Sequence, residues 1–240
     1  MSTELDYIGD ELAVFALAKN WKAYFAANLA PFIRGEVAEP GAGLGTTTLT
    51  LCDPAEKSGW LCVEPDRTMA ENLLKLRDAG GLPARCDVHC GVLADLPAEK
   101  KFDTVIYIDV IEHIEDDQHE FETAAARLRP GGRIVILAPA WQHLYSPFDK
   151  RIGHFRRYSR ATLAALRAPG LRLETSFYLD SVGYFASLAN QIFMKQSMPV
   201  KSQIVLWDNV MVRASRVLDP LIFQTIGRSV IAVWINESGR

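Results

Sequence analysis

From residue 4 to residue 29, apolar side chains recur three and four positions apart: Leu5, Ile8, Leu12, Phe15, Ala16, Trp21, Tyr24, Phe25 and Leu29. That period predicts one or two amphipathic helices ahead of any strand. Such a segment either packs on a sheet edge or forms a lid over a ligand, with Tyr7, Trp21 or Tyr24 reaching inward. From residue 35 the period changes. Short apolar runs at 35–39, 60–64, 87–90, 104–108 and 133–137 read as strands, and helical stretches at 46–51, 67–79 and 117–128 separate them. The 104–108 run, Thr-Val-Ile-Tyr-Ile, is apolar on both faces, as a strand covered on both sides requires. Strands alternating with helices predict a parallel, doubly wound α/β sheet.

After Ala138 the pattern breaks. Residues 139–158 form a long loop holding Trp141, His143, Tyr145, Asp149, His154, Arg156, Arg157 and Tyr158. Ser159 has the chemistry of an N-cap for a helix running to about residue 167. Two more strands are predicted at 171–178 and 229–235. The apolar stretch between them, about fifty residues, is far longer than a structureless loop and must carry its own helices. With charged residues such as Lys201, Arg213 and Arg216 facing outward, those helices either add core or a dimer face, or cover the site and shape an apolar substrate pocket, the reading preferred here.

Composition narrows the class. The chain has 240 residues, 49% hydrophobic, with a net charge of -3, which fits a globular domain and gives no reason to expect nucleic acid. Its four cysteines lie in or beside apolar runs and are expected to be reduced, buried thiols. Cys86, His89 and Cys90 cluster in sequence but lack a second ligand pair, so no metal is expected. The acidic, mixed N-terminus lacks a signal-peptide pattern. No uncharged apolar run is long enough to span a bilayer. A cytoplasmic protein, monomer or homodimer, without stable membrane insertion follows from these features.

The candidate chemistry gathers at the strand ends, where open parallel sheets bind ligands. Strand one runs into Glu39, and Gly41, Gly43 and Gly45 then form a turn that opens a helix. Glycine suits such a turn because it has no Cβ. Glu64 ends strand two, about twenty residues on, where an acid can accept from both ribose hydroxyls. Asp109 ends strand four. The Gly-x-Gly-x-Gly spacing differs from the dinucleotide pattern. An acid at the turn's entrance would repel a pyrophosphate but attract an ammonium or sulfonium. Glu39 therefore faces two roles, accepting backbone N–H bonds from the turn or meeting a cationic nucleoside.

Four ordered segments carry a resemblance: 37–45 (Val-Ala-Glu-Pro-Gly-Ala-Gly-Leu-Gly), 61–66 (Leu-Cys-Val-Glu-Pro-Asp), 102–114 (Phe-Asp-Thr-Val-Ile-Tyr-Ile-Asp-Val-Ile-Glu-His-Ile) and 128–133 (Leu-Arg-Pro-Gly-Gly-Arg). Together they resemble a class I S-adenosylmethionine-dependent methyltransferase of the small-molecule type, over about residues 30–140. The resemblance implies a Rossmann-like sheet of seven strands, six parallel and the last antiparallel, with N-terminal helices and a helical insertion between the last two strands. It implies a single domain over 1–240: a helical lid over 1–30, a cofactor core over 31–140, an active-site loop over 139–160 and a helical cover over 181–227. The implied cofactor is S-adenosyl-L-methionine, leaving as S-adenosyl-L-homocysteine. Gly41 and Gly43 would lie against its methionine part beside Glu39. Glu64 would hold the ribose, with Pro65 and Asp66 bordering the adenosine. Val92 and Leu93 would face the adenine, and Asp109 and Val110 would line the methionine end. Adenine recognition would rest on backbone groups or Asp95, since Val92 stands where many relatives carry an acid.

The acceptor side is written in the loop after strand five, whose Gly-His-Phe-Arg-Arg-Tyr-Ser stretch resembles a segment found in a subset of these enzymes. His113, His143 and His154 are candidate general bases, because histidine titrates near neutrality. Tyr145, Arg156, Arg157 and Tyr158 are candidate acceptor contacts, the arginines able to clamp a carboxylate or phosphate. They are equally able to pair with Asp149, Asp180 or Glu174. The expected reaction is metal-independent, in-line methyl transfer to an O or N atom of a small, apolar or lipid-like acceptor. A nicotinamide-dependent oxidoreductase and a non-catalytic cofactor-binding subunit are the alternatives. The glycine spacing and the lack of a Tyr-x-x-x-Lys pair argue against the first.

Overall fold

Seven strands form one sheet in the order β3-β2-β1-β4-β5-β7-β6. The computed structural model describes residues 17–191 and 201–238. Tyr7 and the earlier half of the first predicted helical segment lie outside them. The strands are β1 (Val37–Pro40), β2 (Trp60–Glu64), β3 (Cys86–Cys90), β4 (Phe102–Ile108), β5 (Leu128–Pro139), β6 (Leu171–Leu179) and β7 (Ser229–Asn236). All run parallel except β7, which pairs antiparallel with both β5 and β6. The helices are α1 (Lys19–Leu29), α2 (Thr48–Leu51), α3 (Arg67–Asp78), α4 (Asp117–Ala126), α5 (Pro147–Arg151), α6 (Arg160–Ala164), α7 (Ser181–Ala189), α8 (Lys201–Leu206) and α9 (Val212–Leu221), with a π-helical turn at Trp207–Met211 joining the last two. Among the described residues, no helix is long and apolar enough to cross a membrane.

Both faces of the sheet are covered, and successive strand residues alternate between two cores. Ile106, Val135, Leu137, Ile231 and Val233 face α1 and the insertion, where they join Trp21, Phe25, Leu29 and Trp207. Val105, Tyr107, Ile134, Ile136, Ala232 and Trp234 face α4 and α6, where they meet Phe121 and Leu163. Phe121 and Trp234 touch edge to face at 4.9 Å. Fully burying each such aromatic contributes on the order of 2–3 kcal/mol, so the sheet is held firmly under its carboxyl-end loops.

The helix starts follow their caps. Asp66 caps α3 by accepting from Met69 N, and Asp116 caps α4 by accepting from His119 N. Ser159 caps α6 as its position predicts, but that helix is only five residues long. Helix α1 has no cap of its own. Asp208 supplies one, its carboxylate accepting from the backbone N–H groups of Asn20 and Trp21 at 3.1 and 2.8 Å. Tyr24 donates to Asp219 on α9 at 2.9 Å. Trp21 and Tyr24 are therefore committed to the insertion and do not reach inward as lid residues.

Cys52, Cys62 and Cys86 are buried free thiols, whereas Cys90, at the carboxyl end of the edge strand β3, is exposed. Residues 139–158 are less irregular than a loop. They contain α5, capped by Ser146, and a 3-10 turn at Gln142–Leu144.

Candidate active site

The glycine turn is latched to the neighbouring strand: Gly41 N donates to Val63 O at 2.8 Å and Ala42 N to the same oxygen at 3.4 Å. Gly41, Gly43 and Gly45 all have positive φ, but they serve different ends. A Cβ on Gly41 would stand 2.6 Å from Val110, and one on Gly45 2.9 Å from Leu73, so both glycines allow close packing. A Cβ on Gly43 would meet nothing nearer than the Gly41 carbonyl at 3.9 Å. Gly43 thus faces open space, where a ligand can approach the backbone.

Two buried acids hold this turn from behind. Glu64 accepts from Gly43 N at 2.7 Å through one oxygen and from Asp66 N at 2.9 Å through the other. Glu39 accepts from Thr48 Oγ1 and Trp60 Nε1, both at 2.7 Å. The division of labour differs from the sequence-based alternative: Glu64, not Glu39, takes the turn's N–H group. Burial pushes Glu39 up to about 7, against those two hydrogen bonds. Burial also raises Glu64.

Asp109 directly follows β4 with φ 54°. Its side chain is exposed to solvent at the carboxyl edge of the sheet. Desolvation raises it to about 6, opposed by the charges of Arg228 and Arg157. Two further non-glycine residues with positive φ, Trp141 and Asp180, follow β5 and β6 at the same edge. A tryptophan there is uncommon, and such strain concentrates at functional edges. Val110 packs on Gly41. Pro65 and Val92 are exposed, and Val92 N donates to Asp95 at 2.9 Å. Leu93 is fully buried in the core, so its side chain is not available to a ligand and the position's accessible group is Val92.

The loop after β5 is organised by Asp149, which is fully buried. It accepts from Ser146 N and Oγ, from Arg157 Nε and Nη2, and from His154 Nδ1 at 3.0 Å. Burial alone would raise its carboxyl; the His154, Arg157 and Ser146 contacts outweigh it and hold the group well below the usual range. Arg156 pairs with Asp117 at 2.7 Å and also donates to Glu115 O. Tyr158 is buried and donates to Asp117 at 2.7 Å. Tyr145 donates to His154 O at 2.6 Å. These bonds correct the expectation of an anion clamp. Arg157 and Tyr158 are consumed in fixing the loop, Arg156 is paired, and the Tyr145 hydroxyl points at backbone.

The three histidines separate into two groups. His113, in a 3-10 turn after β4, and His154 stack edge to face at 4.5 Å. Burial, then the charge of His154, lowers His113 to about 4, so it is neutral at pH 7 and a weak base. His143 instead joins an aromatic group with Trp141, Tyr178 and Tyr184, where Trp141 stacks on Tyr178 at 4.7 Å and His143 Nε2 lies 3.3 Å from the Tyr184 hydroxyl. Sequence reasoning passed over Asp149 as an organiser, although Ser-x-x-Asp before a run of basic residues is a capping signal. It also missed Arg228, which reaches this edge from the start of β7 and lies over Trp207 at 4.8 Å. Two surface depressions, of about 490 and 430 Å³, border the β3 edge and the Arg156–Tyr158 segment respectively, and no residue of the glycine turn lines either.

Comparison with known proteins places this geometry. Residues 38–134 match the family model of a methyltransferase domain. An uncharacterised 37.1 kDa protein in transposon TN4556 of Streptomyces fradiae is 29% identical over 143 residues. That match takes in 59% of this chain and 40% of the relative, so the chain spans less than half of that protein's length. Among solved structures, a chain of the Haloferax volcanii complex between the Trm112 methyltransferase activator and a methyltransferase is similar at TM-score 0.63 and 18% identity, with 95% of each chain covered. An S-adenosylmethionine-dependent methyltransferase from Clostridium acetobutylicum is similar at TM-score 0.58 and 13% identity, with 95% of this chain and 96% of that one covered. At these identities the structural likeness speaks for the fold, while the sequence match covers the strands that carry Glu39, Glu64 and Asp109. This chain is thus similar to a methyltransferase domain over residues 38–134 and shares its fold with solved methyltransferases.

Proposed function

We propose that this protein transfers the methyl group of S-adenosyl-L-methionine to an O or N atom of a small-molecule acceptor, releasing S-adenosyl-L-homocysteine. The observation that carries the reading is the open space over Gly43, on a turn that Glu64 holds from behind, at the carboxyl edge where the adjacent strands β2, β1 and β4 bring Glu64, Glu39 and Asp109. Glu64 meets the ribose hydroxyls, Pro65 and Val92 flank the adenosine, and Asp109, Val110 and Gly41 border the methionine end. The acid-rich floor suits a ligand carrying a sulfonium and an ammonium.

In the step itself, an acceptor lone pair forms the new bond to the methyl carbon as the C–S bond breaks, and the sulfur keeps the bonding pair. The acceptor's proton passes to a base at the cleft. His143, with Trp141, Tyr178 and Tyr184 around it, sits where an apolar acceptor would be held. Most of the acceleration then comes from alignment, which can supply about 7–11 kcal/mol. Calorimetry with S-adenosylhomocysteine tests the cofactor assignment. One site with micromolar affinity is expected, and no heat at high micromolar ligand would overturn the reading.

A further inference from the structure

We propose that Glu112, His113 and His154 form a site for one divalent ion of the zinc type, a group the sequence pattern gave no reason to expect. The ligand atoms of the three residues lie within 4.8 Å of one another. Glu112 Oε1 and His154 Nε2 are 3.8 Å apart. In a tetrahedral site with ligands about 2.0–2.2 Å from the ion, neighbouring ligand atoms lie about 3.4 Å apart. The Glu112–His154 pair is therefore within a few tenths of an ångström of that spacing, and side-chain rotation alone can close the rest.

Glu112 is the observation that demands an explanation. It is fully buried, and neither carboxylate oxygen has a hydrogen-bond partner from another residue. A buried polar atom left so costs about 1–3 kcal/mol, and nothing in the proposed methyl transfer uses it. Two imidazoles beside it supply what a carboxylate needs to share a cation. Their surroundings are those of ligands held in place. His154 Nδ1 is tied to Asp149 at 3.0 Å, which turns Nε2 toward Glu112. Asp149 is in turn fixed by Arg157 and Ser146. His113 is bonded to the backbone of Ile152. Metal-binding histidines regularly have their second ring nitrogen held by a carboxylate or backbone group in this way.

Two nitrogens and one oxygen suit zinc and its transition-metal neighbours; magnesium and calcium prefer all-oxygen sites. Three protein ligands leave a further position for water or for a heteroatom of the acceptor. The nearby charges are mixed: Asp109 and Asp149 favour a cation, and Arg157, already paired with Asp149, opposes it.

The test uses the full chain, stripped with a chelator and titrated with Zn2+ by calorimetry and with Co2+ by visible absorption. The expected result is one equivalent of either metal and a cobalt spectrum without thiolate charge transfer. His154→Ala and Glu112→Gln should each weaken binding at least about 100-fold, and Asp149→Asn about 10–100-fold. The double substitution Cys52→Ser with Cys86→Ser should leave binding unchanged. Wild-type protein that takes up no stoichiometric metal overturns the proposal, whether or not the variants fold. Uptake that survives in folded Glu112→Gln and His154→Ala protein overturns it as well. S-adenosylhomocysteine titrations of the same stripped samples report separately on the methyl-transfer reading.

Discussion

Replacing Asp149 with alanine removes the acceptor for five hydrogen bonds, from Ser146 N, Ser146 Oγ, His154 Nδ1, Arg157 Nε and Arg157 Nη2. The five do not add, because they share one carboxylate. The controlling quantity is the charge left behind: the Arg157 side chain is only 11% exposed, and its partner 0%. Breaking a buried pair from one side typically costs about 3–5 kcal/mol. For a chain of this size that corresponds to a fall in Tm of roughly 6–20 °C. Urea denaturation followed by circular dichroism measures it, with Asp149→Asn expected to lose less because its side-chain oxygen still accepts. Acid supplies an independent check. A carboxyl held below its ordinary value stabilises the fold at pH values above that ordinary value, and the contribution is lost as pH falls through the lowered one. Wild type should therefore lose stability in acid more steeply than the alanine variant. A loss below about 1 kcal/mol, the range of an exposed ion pair, would refute the view that Asp149 organises the loop.

Three further outcomes follow from the cofactor side. Gly41→Ala should destabilise the fold strongly, because its Cβ meets Val110 at 2.6 Å at φ 66°, whereas Gly43→Ala, strained at φ 54° but free of any clash, should destabilise it less and lose affinity for S-adenosylhomocysteine; equal effects on folding in thermal melts would contradict the contrast. Glu64→Ala should weaken that affinity about 10–100-fold, the range of one charged hydrogen bond, and an unchanged Kd in calorimetry would remove Glu64 from the ribose. Because Glu39 sits at about 7 in the ligand-free protein and a cationic cofactor favours its ionised form, affinity for S-adenosylmethionine should rise with pH up to about 7 and level off above it. Calorimetry across that range should find a shallower rise for Glu39→Gln, in which Asp109, raised to about 6, still ionises near the ligand.

The cofactor half of the molecule was legible because its residues obey local rules. β2 and β4 fall within two residues of their predicted limits, since a strand buried on both faces declares itself by composition. β5 runs from Leu128, earlier than its apolar run, because Leu128 pairs with Phe102 across a register shift that the Pro-Gly-Gly stretch hides. Helix α2 shrinks to four residues, as Asp53-Pro54 stops it from one side and the glycine turn from the other. What could not be read locally were choices among partners. Glu39 and Glu64 were both suitable acceptors for the turn, and the fold decided between them by placing Trp60 and Thr48 beside Glu39. Arg156 and Arg157 offered the chemistry of a clamp or of an internal pair. Only the approach of Asp117 and Asp149, set by helix packing, settled which. Glu112 and His113 were visible as a pair, but His154, more than forty positions away, becomes their neighbour only in the folded chain.

The capping of α1 by Asp208 makes the order of synthesis matter. Trp21 leaves the ribosome 187 residues before its hydrogen-bond acceptor. At ordinary elongation rates that interval is roughly ten to forty seconds. Throughout it, the nascent segment carries an unsatisfied helix start and the bare apolar faces of Trp21, Phe25 and Leu29. The sheet core from β1 to β5 can assemble in that time, but the amino-terminal helix cannot complete its contacts. Truncation within the insertion should release α1 as well, although the two are distant in the gene.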